Sequence, residues 1–452
     1  MRQAAQPHTR AVPIDLFKGW PSPALLPPKL IQHAASKILL DSSTVTTAVL
    51  EYGDDEGYLP LRREIAAWLT QFYKPKDPIS LHRLCITGGA SQNLACILQT
   101  FTDPIYTRNI FMVAPTYYLA CHIFADSGFD GRLKGIPEDT EGVDLDFLEN
   151  ALHHSEQEAI TKGNFSPKIK QPKPWRKIYK YIIYCVPQFA NPTGRIMSLG
   201  HRQTLVRLAR KYDALVVTDD VYDMLQWPSS PDSPATVLDS AYLPRIVDID
   251  RYLDGGPVEA YGHAVSNCSF SKIAAPGLRT GWAEGTEKLA YGLSQTGSTR
   301  SGGSPSQLAS SFLYSLIETS TLQNHVYHIL QPAYARRYYK MISSIQKYLV
   351  PLGLVMPQSD KAITGGYFIW LTLPLPLTAD AISEQALKEE SLTVIPGSRF
   401  RVQGDEANPH TKFDHDIRVC FAWEEEDLLS EGILRLANVV RRAQRSLALC
   451  VD

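Results

Sequence analysis

The chain has 452 residues, of which 44% are hydrophobic and 20% charged, and its formal charge is −2. That balance gives no sign of a polyanion-binding surface, and so of a nucleic-acid partner, and supplies enough apolar material for two or more cores. No apolar run approaches the ~20 residues that a bilayer-spanning helix needs, and the opening MRQAAQPHTRAVPIDL lacks the apolar core of a secretory signal. Arg2 and Arg10, with no acid before Asp15, leave an organellar address open beside the cytoplasmic location expected here. Seven scattered cysteines without a Cys-x-x-Cys pair point to a reducing compartment. His153, His154, His410 and His415 are not in metal-ligand spacing, and no metal is expected.

Up to about Ser43 the chain is Pro-rich and reads as an irregular arm with apolar anchors at Trp20, Leu25, Leu26 and Leu30. From Leu61 the apolar set Leu61, Ile65, Trp68, Leu69 and Phe72 has helical spacing. LCIT (84–87), a Gly-Gly turn and a helix carrying Leu94, Ile97, Leu98 and Phe101 follow. Strand-like runs recur at 110–114, 181–186, 214–219 and 264–271, with helical patterns such as 205–212 among them. Interleaving of this kind predicts an α/β fold whose mainly parallel sheet is covered on both faces, with catalytic groups at strand ends. The polar segments 153–180 and 227–238 read as loops, the first of them basic. After Asn324 a long helix is expected to kink at Pro332. Strands at 367–373, 392–395 and 417–422 and a helix from about Glu425 then suggest a second, α+β domain. The expected division is an arm over 1–50, a large domain over 51–330 and a small one over 331–452.

The segment SFSKIAAPGLRTGW (269–282) puts Lys272 between hydroxyls and an arginine where a strand-like run ends. A lysine so placed is a candidate to form a Schiff base with pyridoxal 5′-phosphate (PLP), with Ser269, Ser271 and Arg279 on the phosphate. Three further parts serve that chemistry. TGGASQNL (87–94) offers an anion site at a helix start, with Ala90, Ser91 and Gln92 in the first turn. In VVTDDVY (216–222) a carboxylate can keep the ring nitrogen protonated. Asp219 and its neighbour Asp220, whose side chains point to opposite faces, are the two candidates. Arg418, inside the apolar run of DIRVCF (416–421), suits a bidentate grip on a substrate α-carboxylate, with a structural ion pair as the alternative. Asn191 of FANPTG could donate to the ring oxygen beside Tyr222, and Tyr117 or its neighbour Tyr118 could stack on the ring.

In order along the chain, YGDDEGYLPLRREIAAWL, TGGASQ, APTYY, NPTG, TDDVY, SFSKIAAPGLRTGW, GGYFIWL, IPGSRF and IRVCF resemble the class I/II aminotransferases of PLP fold type I. The likeness is greatest to the aminoadipate/kynurenine and multi-substrate subgroup, and it runs from about Leu50 to the C-terminus. It implies a large domain with a central, mainly parallel, seven-stranded sheet covered by helices and a smaller α+β C-terminal domain. It also implies Lys272 as the Schiff-base lysine, Asp219 on the pyridine nitrogen, and Asn191 and Tyr222 on the ring oxygen. Ala90, Ser91, Ser269, Ser271 and Arg279 then fall at the phosphate, Tyr117 at the ring face and Arg418 at the substrate carboxylate. Tyr52 matches a position that reaches the partner subunit's phosphate, implying a homodimer with shared sites. Gly19 and Trp20 fall where the family's arm covers the substrate. Two departures stand out: Ala90 replaces a common hydroxyl, and 227–262 is longer than usual. The expected reaction is ping-pong transfer of an amino group from an amino acid to a 2-oxo acid. A C–S β-lyase or a decarboxylase on the same scaffold is the alternative, and a binding protein without turnover a more remote one. Trp20, Tyr58 and Phe189 suggest a pocket wall for aromatic or long aliphatic side chains.

Overall fold

The computed structural model describes residues 12–40, 44–233, 237–357 and 360–449. Arg2, Arg10, Ser43 and Cys450, which bore on the expectations above, lie outside them. Seven strands form the central sheet: β1 (Leu84–Thr87), β2 (Asn109–Ala114), β3 (Leu133–Pro137), β4 (Tyr181–Cys185), β5 (Ala214–Asp219), β6 (Ala264–Ser269) and β7 (Gly281–Glu284). Their order is β1-β7-β6-β5-β4-β2-β3, and β7 alone runs against its neighbours.

Alternation along the strands feeds two separate cores. Ile110, Met112, Ile182, Tyr184, Leu215 and Val217 pack into one, whereas Phe111, Val113, Tyr181, Ile183, Ala214 and Val216 pack into the other. Both faces of the sheet are therefore covered, as its near-continuous apolar strands require. The helix Leu59–Tyr73 buries all five of its helically spaced apolar residues. Helix Ala90–Phe101 does the same with Leu94, Ile97, Leu98 and Phe101.

A three-stranded antiparallel sheet follows, made of β8 (Phe368–Thr372), β9 (Ile395–Pro396) and β10 (Asp416–Cys420) in the order β8-β10-β9. The run at 392–395 is not one strand. Leu392–Thr393 pairs in parallel with Ile14–Asp15 of the arm, while Ile395–Pro396 pairs with β10. The arm is also less irregular than expected, because Pro28–Leu39 is a helix with Pro28 in its first turn, where a missing N–H costs nothing. Helix Leu145–Thr161 continues through the first part of the 153–180 segment. Within the second, Gln226–Pro228 pairs with Ile363–Gly365. Pro332 stands at the start of helix Gln331–Tyr348, directly after the wide turn Val326–Leu330.

Candidate active site

The carboxyl ends of β4, β5 and β6 open into a cavity of about 580 Å³. Ala90, Ser91, Tyr117, Asn191, Asp219, Tyr222, Ser269, Ser271, Lys272, Arg279 and Arg418 all line it, together with Gly19 and Trp20 of the arm. Three residues expected near it, Gln92, Tyr58 and Phe189, stand elsewhere. Gln92 turns its side chain back, its Oε1 accepting from Gly88 N at 3.0 Å and its Nε2 donating to Cys96 Sγ. Tyr52, expected at the partner subunit's phosphate and not in the cavity of its own chain, is 87% exposed and does not line this cavity. Tyr58 meets Tyr314 edge to face with ring centroids 6.0 Å apart, and Phe189 is buried under Gly365 and Gly366. Neither of that pair forms cavity wall.

Lys272 follows β6 and donates from Nζ to the carbonyl of Gly19 at 2.7 Å. Burial lowers its ammonium to about 8, against the pull of Cys420 and Asp219. A carboxylate stands at the end of the adjacent strand. Burial raises Asp219 to about 7, while the hydroxyl of Tyr184, 3.0 Å from Oδ2, favours its charged form. Oδ1 of Asp219 is buried without a hydrogen-bond partner. Asp220 lies outside the cavity lining and accepts hydrogen bonds from Thr218 and Ser266.

At the other side, Arg418 occupies β10, the central strand of the small sheet, opposite Trp370 and Ile395. It is 4% exposed, and no carboxylate pairs with it among the described residues. Its guanidinium donates to Asn191 Oδ1 at 2.9 Å and to the carbonyl of Phe17, and it lies 4.1 Å from the Phe368 ring centroid. A buried cation held only by neutral acceptors is costly, which fits a site for a ligand carboxylate rather than an internal ion pair. Because Asn191 accepts through its oxygen, its NH2 group is left for donation.

Helix Ala90–Phe101 opens at Gly89, whose φ is +96°. Ser269 donates to Ser271 at 2.8 Å, and Arg279 reaches both Ser271 Oγ and the carbonyl of Gly88. A Cβ at Gly89 would stand 2.8 Å from Arg279 Nη2. Hydroxyls, guanidinium and helix N-terminus thus converge on one point, as a phosphate requires.

Two supporting residues escaped the sequence. Tyr184 sits on β4 opposite Val217, two residues before Asp219 and therefore on the same face. Asn267, opposite Asp219 in register, accepts from Asn93 at 2.8 Å and donates to the carbonyl of Ala90 at 3.0 Å, tying β6 to the phosphate-side helix. The alternation of each strand was readable, but the neighbour relation that makes it useful was not.

A pyridine ring fits this donor set: an unpartnered carboxylate oxygen for its nitrogen, an anion cradle for its phosphate and a lysine for its aldehyde. The doubly covered sheet with that site at its strand ends defines a PLP-dependent enzyme of fold type I. The sequence matches the model of the family "Aminotransferase class I and II" over residues 23–436, and the chain belongs to that family. It is 38% identical to an uncharacterized protein of Saccharomyces cerevisiae, over 93% of this chain and 95% of the other. To the 2-aminoadipate transaminase of Thermus thermophilus it is 27% identical, over 94% of this chain and 89% of that protein. The crystal structure of Pyrococcus horikoshii kynurenine aminotransferase, in complex with PMP, is similar with a TM-score of 0.73 and 26% identity. That match covers 95% of this chain and 91% of the other. The chain is a PLP-dependent aminotransferase. Among the described residues no helix is long and apolar enough to cross a membrane.

Proposed function

We propose that Lys272 both tethers the cofactor and moves the substrate's Cα proton, so that the amino group of an amino acid passes to a 2-oxo acid by a ping-pong sequence. One observation carries this reading: a single cavity joins a lysine lowered to about 8, a buried carboxylate oxygen without a partner, and a buried arginine without a carboxylate. PLP, when bound, supplies the electron-poor ring that takes up the pair left at Cα. Asp219, oriented by Tyr184, holds the proton on the ring nitrogen through its free Oδ1. Asn191 and Tyr222 donate to the ring oxygen, and Tyr117 covers the ring face. Ser91, Ser269, Ser271 and Arg279, with the backbone N–H groups of Ala90 and Gln92, hold the phosphate.

Arg418 grips the substrate α-carboxylate at two points and so turns Cα toward the amine of Lys272. Gly19 and Trp20 close the mouth and keep water from the proton transfer. Tyr52 lies outside the cavity of its own chain and is almost fully exposed. That supports a homodimer in which it reaches the phosphate of the partner's site. Trp20 and Tyr117 favour aromatic or long aliphatic side chains, a width in keeping with the 2-aminoadipate and kynurenine enzymes to which the chain is similar.

The test is a panel of amino donors against 2-oxoglutarate and pyruvate, scored by spectral conversion of the bound cofactor to its aminated form. Lys272→Ala should lower turnover by about 10²–10⁴-fold, the range for loss of a positioned acid-base group. Turnover at the wild-type rate in that variant would end the assignment.

A further inference from the structure

We propose that Glu138 is a positioning residue for the grip on the substrate carboxylate: while charged, it draws Arg195 toward it and so braces the turn that presents Asn191 to Arg418. The inference rests on the functional reading above, in which Arg418 holds the α-carboxylate. Glu138 follows β3 and lies outside the cavity, so it acts only through other residues. Its carboxylate reaches the turn at two points. Arg195 Nε stands 3.4 Å from Oε2, and Thr193 Oγ1 donates to Oε1 at 3.4 Å.

The turn is closed by two backbone bonds, from Gly194 N to the carbonyl of Ala190 at 2.7 Å and from Ala190 N to that of Arg195 at 3.0 Å. Asn191 stands inside it, buried, and its Oδ1 accepts from Arg418 at 2.9 Å. A shift of the turn therefore moves the acceptor that orients the guanidinium. Glu138, Arg195, the turn, Asn191 and Arg418 make one contiguous path.

Oε2 of Glu138 and Nε of Arg195 are both buried without a hydrogen-bond partner, so their attraction is one of charge and lapses when the carboxyl is protonated. Burial raises Glu138 to about 7, against the pull of Arg195 and of the Thr193 hydroxyl. The other titratable groups at this spot are Asp139, whose carbonyl accepts from Arg195, then Glu141, and His201 of helix Leu199–Tyr212. His201 lies 3.0 Å from Asp139 and 4.0 Å from Glu141. A structural ion pair is the competing account, and it differs in sign. A carboxyl raised from 4.5 to about 7 in the fold lowers stability as pH rises between those values and keeps it lowered above them. Stability therefore does not account for the charge.

Calorimetric titration of the cofactor-loaded protein with 3-phenylpropanoate from about pH 5.5 to 8.5, where that probe stays ionised, separates the two accounts. The ratio of wild-type to Glu138→Gln affinity should rise from about one at the acid end to about five at the basic end. Any dependence due to Asp219, Lys272 or His201 is common to both proteins and cancels in that ratio. Glu138→Gln should also melt at a higher temperature than wild type at about pH 8. Arg195→Met should lose the same affinity, and the double variant no more than either alone. A ratio that stays flat with pH, or losses that add in the double variant, overturns the proposal. A flat ratio with a lowered melting temperature is the result of a purely structural pair. Adding glutamate and phenylalanine to the same samples separates this inference from the reading on which it rests. If neither converts the cofactor although binding depends on Glu138 as predicted, the aminotransferase assignment fails and Glu138 keeps its role. If either converts it and binding ignores Glu138, only the role of Glu138 fails.

Discussion

Lys272 sits where opposing effects act on its ammonium: burial lowers its pKa to about 8, while Cys420 and Asp219 act to raise it. Only the free amine can attack an aldehyde. A group brought down from 10.5 to about 8 has a reactive fraction that rises tenfold per pH unit below 8 and levels above it. The rate at which cofactor-free protein takes up PLP should follow that curve in stopped-flow absorbance. Asp219→Asn removes a negative charge that favours the ammonium, so the inflection should move to lower pH. An inflection that stays or moves upward would show that Asp219 does not act on Lys272 electrostatically. The same change should weaken PLP binding, because Oδ1 of Asp219 is the unpartnered acceptor offered to the ring nitrogen.

The helix Ala90–Phe101 begins as it does because Gly89 can hold a φ of +96°. Gly89→Ala forces an L side chain into that region and toward Arg279 Nη2, at a cost of about 1–3 kcal/mol. Its melting temperature should fall and its PLP dissociation constant rise. Wild-type PLP affinity in this variant would mean that the phosphate lies elsewhere. The strands that the sequence revealed are those buried on both faces, such as 181–185 and 214–219, where apolar residues run without interruption. β3 (LKGIP) and β7 (GWAE) were missed because Gly, Pro or a charged residue breaks their apolar runs, and only pairing with a neighbour makes them strands. The site was legible for a related reason. Asp219 ends β5, and Lys272, Asn191 and Arg279 sit in the connecting segments beyond the strands, where local motifs survive in the sequence. Tyr184 and Asn267 act through residues that only the fold brings to them, and Tyr58 and Phe189 were misplaced for want of the same information.

Across the whole molecule, the small sheet supplies Arg418, the large one Lys272 and Asp219, and the arm is stitched to both. Asp15 lies in the strand pair with Leu392–Thr393, and Gly19 touches Lys272. Catalysis thus depends on parts far apart in the chain, and under the proposed dimer on a second copy as well. Mixing Tyr52→Ala and Lys272→Ala subunits tests that sharing, because each mixed dimer contains one site without either lesion. At equal mixing and free exchange, activity should recover to about a quarter of wild type. Activity that only averages the two parents would show that each site is built from one chain. The most direct test of the account as a whole is reduction of the PLP-loaded protein with borohydride, followed by digestion and mass analysis. A pyridoxyl group on the peptide that carries Lys272 is the predicted result, and a modified lysine elsewhere, or none despite bound cofactor, would contradict it.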